Sequence, residues 1–300
     1  MSFPGSGFDR SRLFGDATKP KETRPMQFKT YVEGGHVRAN RIRQHYLRFG
    51  GKGRQLVVVP GITMPAATFA EFADDLGRFF DVYVPDARGR GLSERGDHLD
   101  YGLEALAADL SAFVEALRLT DYALVGHSMG GRIVPAAVAR HGARPRSVVL
   151  ADPPMTGPGR RGYSDTDAWF TDQIAKAARG DMTVEEMRTC FPMFDDDQLA
   201  LRIEWLPTCD PRAIERIRAD FLIDDMHSVL PTLGCPILVL AAERGAIRPE
   251  EVAELSAMEG VECVVLPGTG HMIPWDDRDA FRERILGFCG ADGPRAQTGR

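Results

Sequence analysis

Residues 122–141 read YALVGHSMGGRIVPAAVARH, and this stretch decides the fold. Tyr122–Val125 is a short apolar run of the kind that forms a buried strand. Met129–His141 carries its apolar residues at helical spacing. Between them stands Gly126-His127-Ser128-Met129-Gly130, a G-x-S-x-G segment in a strand–turn–helix context. So tight a turn needs small residues on both sides of the serine, and Gly126 and Gly130 supply them. It lifts the Ser128 hydroxyl clear of the sheet and sets it at a helix N-terminus, where negative charge is favoured. These residue types in this order point to a serine nucleophile for acyl transfer, with the substrate unspecified.

Outward from this turn the chain alternates. Strands are predicted at His36–Ala39, Ile42–Phe49, Gln55–Val59, Asp81–Val84, Ser147–Ala151, Ile237–Leu240 and Glu262–Leu266. Helices are predicted at Phe69–Arg78, Leu103–Leu119, Pro249–Met258 and Arg278–Phe288. Strands alternating with helices imply parallel βαβ units and a doubly wound sheet. Between Pro153 and Pro231 the rhythm is lost. Trp169, Phe170, Ile174, Leu199, Leu201, Trp205, Ile214, Ile217 and Phe221 keep a helical pattern with no convincing strand. A helical insertion there implies a cap over the carboxyl edge of the sheet, where open α/β sheets bind ligands. The expected organisation is a core of residues 27–152 and 232–290, a cap of 153–231, a loose arm of 1–26 and a loose tail of 291–300.

Composition narrows the function classes. The 300 residues are 43% hydrophobic, 27% charged and 8% aromatic, ordinary globular values. The longest near-apolar stretch, Cys235–Ala242, is far short of a membrane span. A net charge of −6 offers no basic field for nucleic acid. Five cysteines, widely spaced and without a CxxC pair, argue against a zinc site or a disulfide framework. No apolar stretch near Met1 has the length of a signal sequence. A cytoplasmic protein with no cofactor, no metal ion, no nucleic-acid partner and no membrane partner is therefore expected.

Three further segments join the serine turn. They are Val59-Pro60-Gly61, Asp86-Ala87-Arg88-Gly89-Arg90-Gly91-Leu92-Ser93 and Gly268-Thr269-Gly270-His271. Together they resemble the α/β-hydrolase superfamily from about Val32 to Phe288. The fold class implied is α/β: a mostly parallel doubly wound sheet with a helical cap inserted after the sixth strand. Serine needs a positioned base. Of the seven histidines, His271 lies in a Gly-rich loop after the last strand, where the resemblance puts it. His127 adjoins Ser128 and is expected to shape the pocket. The common acid position, after the strand Ile237–Leu240, holds Gly245. The other strand end that can carry the acid is that of Ser147–Ala151, where Asp152 stands. Asp152 is assigned, with Glu243 as the alternative. The resemblance implies an oxyanion hole from the backbone N–H groups of Ile62 and Met129.

Within the superfamily, several segments resemble the N-formylmaleamate deformylases of bacterial nicotinate catabolism. They are Gly35–Asn40, Gln44–Arg48, Val59–Thr63, Asp152–Pro154 with Gly157–Arg161, Leu199–Arg202 with Glu204–Leu206, and Gly270–Asp277. That family's acid follows the same strand as Asp152. The resemblance implies cleavage of a small anionic N-formyl amide to maleamate and formate through a formyl-enzyme. Candidates to pair with the substrate carboxylate are Arg132, one helical turn beyond Ser128, and Arg160, Arg161 and Tyr163 at the start of the cap, with Trp275 as a wall residue. Rival readings are a carboxylesterase, a carbon–carbon bond hydrolase, or a non-catalytic ligand receptor on the same fold.

Overall fold

The computed structural model describes residues 28–162 and 167–290. The expected arm (1–26), the expected tail (291–300) and Tyr163 lie outside the described residues. Eight strands form one sheet: β1 (Tyr31–Ala39), β2 (Ile42–Phe49), β3 (Gln55–Val59), β4 (Asp81–Pro85), β5 (Tyr122–His127), β6 (Val148–Ala151), β7 (Ile237–Arg244) and β8 (Val261–Gly270). Their spatial order is β1-β2-β4-β3-β5-β6-β7-β8. The pairs β1–β2 and β2–β4 are antiparallel and all others parallel.

Helices flank the sheet: α1 (Ala70–Leu76), α2 (Leu103–Ala116) and α3 (Gly130–Arg140) precede β6. Between β6 and β7 come α4 (Asp167–Ala178), α5 (Val184–Cys190), α6 (Asp196–Trp205), α7 (Pro211–Phe221) and α8 (Met226–Val229), with no strand among the described residues there. The chain closes with α9 (Pro249–Ser256), α10 (Ile273–Asp276) and α11 (Arg278–Cys289).

The central strands form because both of their faces are covered. Every residue of β4, β5 and β6 is buried, which is why they read as continuous apolar runs rather than alternating ones. Helix α2 buries Leu103, Leu106, Ala107, Leu110, Phe113 and Val114 and turns Glu104 and Glu115 to water, as its spacing requires. The same face carries Asp109, whose carboxylate takes two hydrogen bonds of 2.6 Å from Arg88 of the loop after β4. Removing one partner of a buried pair like this costs about 3–5 kcal/mol.

Three element boundaries differ from the sequence reading by four residues or more, each for a local reason. Strand β1 starts at Tyr31 rather than His36, because it is an edge strand whose first four residues are exposed and carry no burial pattern. Gly34 and Gly35 look like a turn but lie in this strand, and a Cβ on Gly35 would press into the Tyr46 ring. Strand β7 runs to Arg244 and β8 to Gly270, past Pro267-Gly268, with a register shift between Ala242 and Arg244 absorbing the irregularity. That extension delivers His271 to the carboxyl edge of the sheet.

Candidate active site

Ser128 and Asp152 stand at equivalent places, immediately beyond β5 and β6. The Ser128 N–H donates to the Ala151 carbonyl (2.9 Å) and the Asp152 N–H to the Leu240 carbonyl (2.8 Å), so each strand stays paired up to its functional residue. There the backbone turns sharply: φ is +53° at Ser128 and +45° at Asp152. Side chains rarely adopt this left-handed region, and such strain is kept where the surroundings over-determine it. At Ser128 the surroundings are two glycines. A Cβ on Gly126 would overlap the Gly130 carbonyl, and one on Gly130 would overlap that of Val59. The G-x-S-x-G pattern is thus a requirement of space.

The three side chains meet in one line. His271 Nε2 lies 2.9 Å from Ser128 Oγ, and His271 Nδ1 lies 2.6 Å from Asp152 Oδ2. With the ring proton on Nδ1, His271 donates to Asp152 and accepts from the Ser128 hydroxyl. Asp152 is fully buried, and its carboxylate also accepts from the N–H groups of Ala242 (3.2 Å), Ala246 (2.6 Å) and Ile247 (3.3 Å). These donors come from β7 and the loop after it. Gly245 lies in the same loop, and a Cβ there would overlap both Asp152 oxygens. The glycine in this loop leaves room for the Asp152 carboxylate, which comes from the end of β6.

Glu243, the alternative acid, is not in the line. Its carboxylate accepts from the Gly268 N–H (3.0 Å) and pairs with Arg244, and its side chain is half exposed. The ring of His127 lies 5.2 Å from that of His271. His127 Nε2 donates to the His271 carbonyl (2.9 Å), holding the backbone of His271. Burial pulls the His127 imidazole down to about 3, with the nearby His271 adding to the effect, so it works as a neutral ring.

The loop that carries Ile62 is held from the sheet side. Neither the Ile62 nor the Met129 N–H donates to a protein acceptor among the described residues, and Ile62 lines the same cavity as Ser128. Arg90 Nε donates to the Ile62 carbonyl (2.8 Å), and Asp86 accepts from the Ala66 N–H (2.6 Å) and the Leu92 N–H (3.0 Å). A Cβ on Gly91 would collide with the Asp86 carboxylate. The segment Asp86–Ser93 is therefore a frame for the loop that carries Ile62.

A cavity of about 90 Å³ opens over Ser128, lined by Gly61, Ile62, Thr63, Met64, His127, Ser128, Trp169, Phe170, Phe191, Arg202, His271 and Met272. It is well below the 300 Å³ and upward that drug-sized ligands need, and suits a small substrate. Helices α4 and α6 and the residue after α5 contribute to its roof.

The arginines expected to pair with a substrate carboxylate have protein partners in the fold. Arg132 is buried and donates to the carbonyls of Pro154 (2.7 Å), Thr156 (2.8 Å) and Asp224 (2.9 Å) and to the Asp224 carboxylate (3.0 Å). It ties the start of the inserted segment to its end. Arg160 pairs with Glu254, and Arg161 makes a two-pronged contact with Glu251 (3.0 and 3.1 Å). Both line a surface depression with Arg248 and Glu250 that does not include Ser128. Trp275 is absent from the cavity lining; it stacks on Phe194 at 4.8 Å and lies 6.2 Å from His127.

Among the described residues, the arginine that lines the cavity is Arg202, which is not a candidate in the sequence analysis. Its signal is spacing: Leu199 and Arg202 are the buried residues of α6, an arginine on the apolar face of a helix.

Comparisons with known proteins agree with this architecture. Residues 56–284 match the model of the alpha/beta hydrolase family. The N-formylmaleamate deformylase of Pseudomonas putida is 48% identical over 254 residues, 84% of this chain and 94% of that protein. The 2-(acetamidomethylene)succinate hydrolase of Mesorhizobium japonicum is 32% identical over 263 residues, 82% of this chain and 91% of that protein. The crystal structure of an N-formylmaleamic acid deformylase from Pseudomonas putida S16, a serine-to-alanine variant, superposes with a TM-score of 0.79 at 41% identity, covering 84% of this chain and 100% of that one. With a matching family model over most of its length, relatives aligned nearly end to end and the strand order described above, this chain belongs to the alpha/beta hydrolase family.

Proposed function

We propose that this protein hydrolyses a small N-formyl amide, N-formylmaleamate, to maleamate and formate, as a cytoplasmic enzyme of nicotinate breakdown. Ser128 is the nucleophile, His271 the general base and acid, Asp152 the orienting carboxylate, and Ile62 and Met129 the oxyanion donors. Residues 153–231 act as the cap on a core of 27–152 and 232–290. The observation that carries this reading is the unbroken Ser128–His271–Asp152 line, opening on a small cavity in a chain 48% identical to a named deformylase. Five free cysteines suit a reducing compartment.

The chemistry follows from the geometry. Ser128 Oγ attacks the formyl carbon while its proton passes to His271 Nε2. Negative charge develops on the former carbonyl oxygen, between two N–H groups that have no other protein acceptor among the described residues. His271, now cationic and steadied by Asp152, returns the proton to the departing nitrogen, so that maleamate leaves as a neutral amide group. A nitrogen that already carries a second acyl group departs more readily than a simple amine. Water, deprotonated by His271, then attacks the formyl ester and frees formate and Ser128.

A non-catalytic receptor would have no need of this assembled line. Formate release from N-formylmaleamate, measured for the wild type beside Ser128→Ala, tests the reading. Release by the wild type alone is expected. Equal release by both proteins removes Ser128 from the mechanism, and no release by either removes the substrate.

A further inference from the structure

Arg202 is 3% exposed and lines the cavity over Ser128. Its Nη2 donates to Thr63 Oγ1 (2.8 Å) and its Nη1 to the Thr63 carbonyl (3.3 Å). Its guanidinium lies over the Phe191 ring at 4.2 Å, and its Nε is buried with no partner. Burial pulls its pKa down to about 10. It therefore remains a cation at neutral pH, and no carboxylate pairs with it among the described residues.

Two other buried arginines show what a purely structural solution looks like here. Arg90 uses Nε, Nη1 and Nη2 on the carbonyls of Ile62, Arg88 and Ala213. Arg132 has the Asp224 carboxylate. Neither lines the cavity. A buried charge that is neither paired nor fully hydrogen-bonded is costly to keep. Placed at the wall of a substrate cavity, it is completed by an anion that arrives from outside.

We propose that Arg202 binds the carboxylate of the substrate, and that the cavity selects small acyl compounds bearing one carboxylate at the end away from Ser128. The proposal rests on the reading above only in taking the cavity over Ser128 as the substrate site. Thr63 directly follows Ile62, so one short loop then serves both ends of the molecule: a backbone N–H for the reacting carbonyl, and the residue that holds Arg202 for the carboxylate.

The test compares charged and neutral probes on the whole protein. Maleate and uncharged maleamide are measured as competitive inhibitors of p-nitrophenyl formate hydrolysis. Calorimetric binding of both compounds to Ser128→Ala gives the same contrast without turnover. Wild type is expected to prefer maleate by on the order of 10- to 100-fold, the worth of a charge-assisted contact. Arg202→Met should lose that preference, and Arg202→Lys should keep part of it. The kcat/KM of Arg202→Met should fall at least about tenfold further for N-formylmaleamate than for p-nitrophenyl formate. An equal fall on both substrates, as expected if Arg202 only braces Thr63, overturns the proposal. So does a wild type that binds the two probes alike, a result that holds even where Arg202→Met does not fold. Failure of N-formylmaleamate as a substrate leaves the maleate comparison readable and so counts against the function, not against Arg202.

Discussion

At the end of β6 a carboxylate stands in a left-handed backbone position. At the end of β7, its neighbour in the sheet, the chain offers N–H groups and a glycine. Each end is incomplete alone. Asp152 supplies charge, while Ala242, Ala246 and Ile247 supply the hydrogen bonds that hold a buried charge in one place. Gly245 supplies the space. The comparison teaches that a catalytic acid comprises a carboxylate, its cradle and the volume it fills, and that adjacent strands can divide these among themselves.

The largest effect should come from the β6 side. Asp152→Asn keeps the shape but allows the wrong histidine tautomer, and kcat should fall by about 10⁴ in a formate-release assay. A loss smaller than tenfold would show that another group orients His271. On the β7 side, Gly245→Ala puts a methyl group into the carboxylate and should lower kcat on the order of 100-fold, with the protein still folded by circular dichroism. An unchanged kcat would mean that the cradle yields.

The comparison extends to β5, where His127 is held neutral. Its imidazole stays unprotonated in the fold down to about pH 3, whereas a free one takes up a proton near 6.5. Between those values the unfolded chain binds the extra proton, so stability falls as pH drops below 6.5. From pH 7 to pH 5 this amounts to about 2 kcal/mol. Thermal unfolding at both pH values should show a smaller acid loss for His127→Phe than for wild type, although the variant starts lower. Equal slopes would mean the burial is relieved by local opening. The smallest effect should be that of Glu243→Gln, within about twofold of wild-type kcat, because the side chain is solvated and bonded to Gly268. A large loss there would return the acid to β7.

Much of this was legible in the sequence. The strand–turn–helix around Ser128, the late Gly-rich loop of His271 and the missing carboxylate at Gly245 are local signals, and each names its residue. The reason for Gly245 is not local. It depends on a carboxylate that arrives from another strand end, so the sequence reading registers the departure without its cause. The arginine partners are hidden from the sequence for a similar reason. Arg132, Arg160 and Arg161 are near the expected pocket in sequence, yet each is taken up by carboxylates or carbonyls that only the folded chain brings near. Edge strand β1 escaped because exposure erases the periodicity on which strand reading depends.

The loop that carries Ile62 is gripped twice, by Arg90 from the sheet and, one residue on, by Arg202 from α6. The roof and the reaction centre are therefore mechanically one part. A chimaera that takes its cap from another hydrolase inherits a new pocket but loses a brace on the Ile62–Thr63 loop. Substrate range in this protein cannot be exchanged as a cassette; any transplanted roof must bring its own arginine for Thr63 or forfeit rate along with specificity.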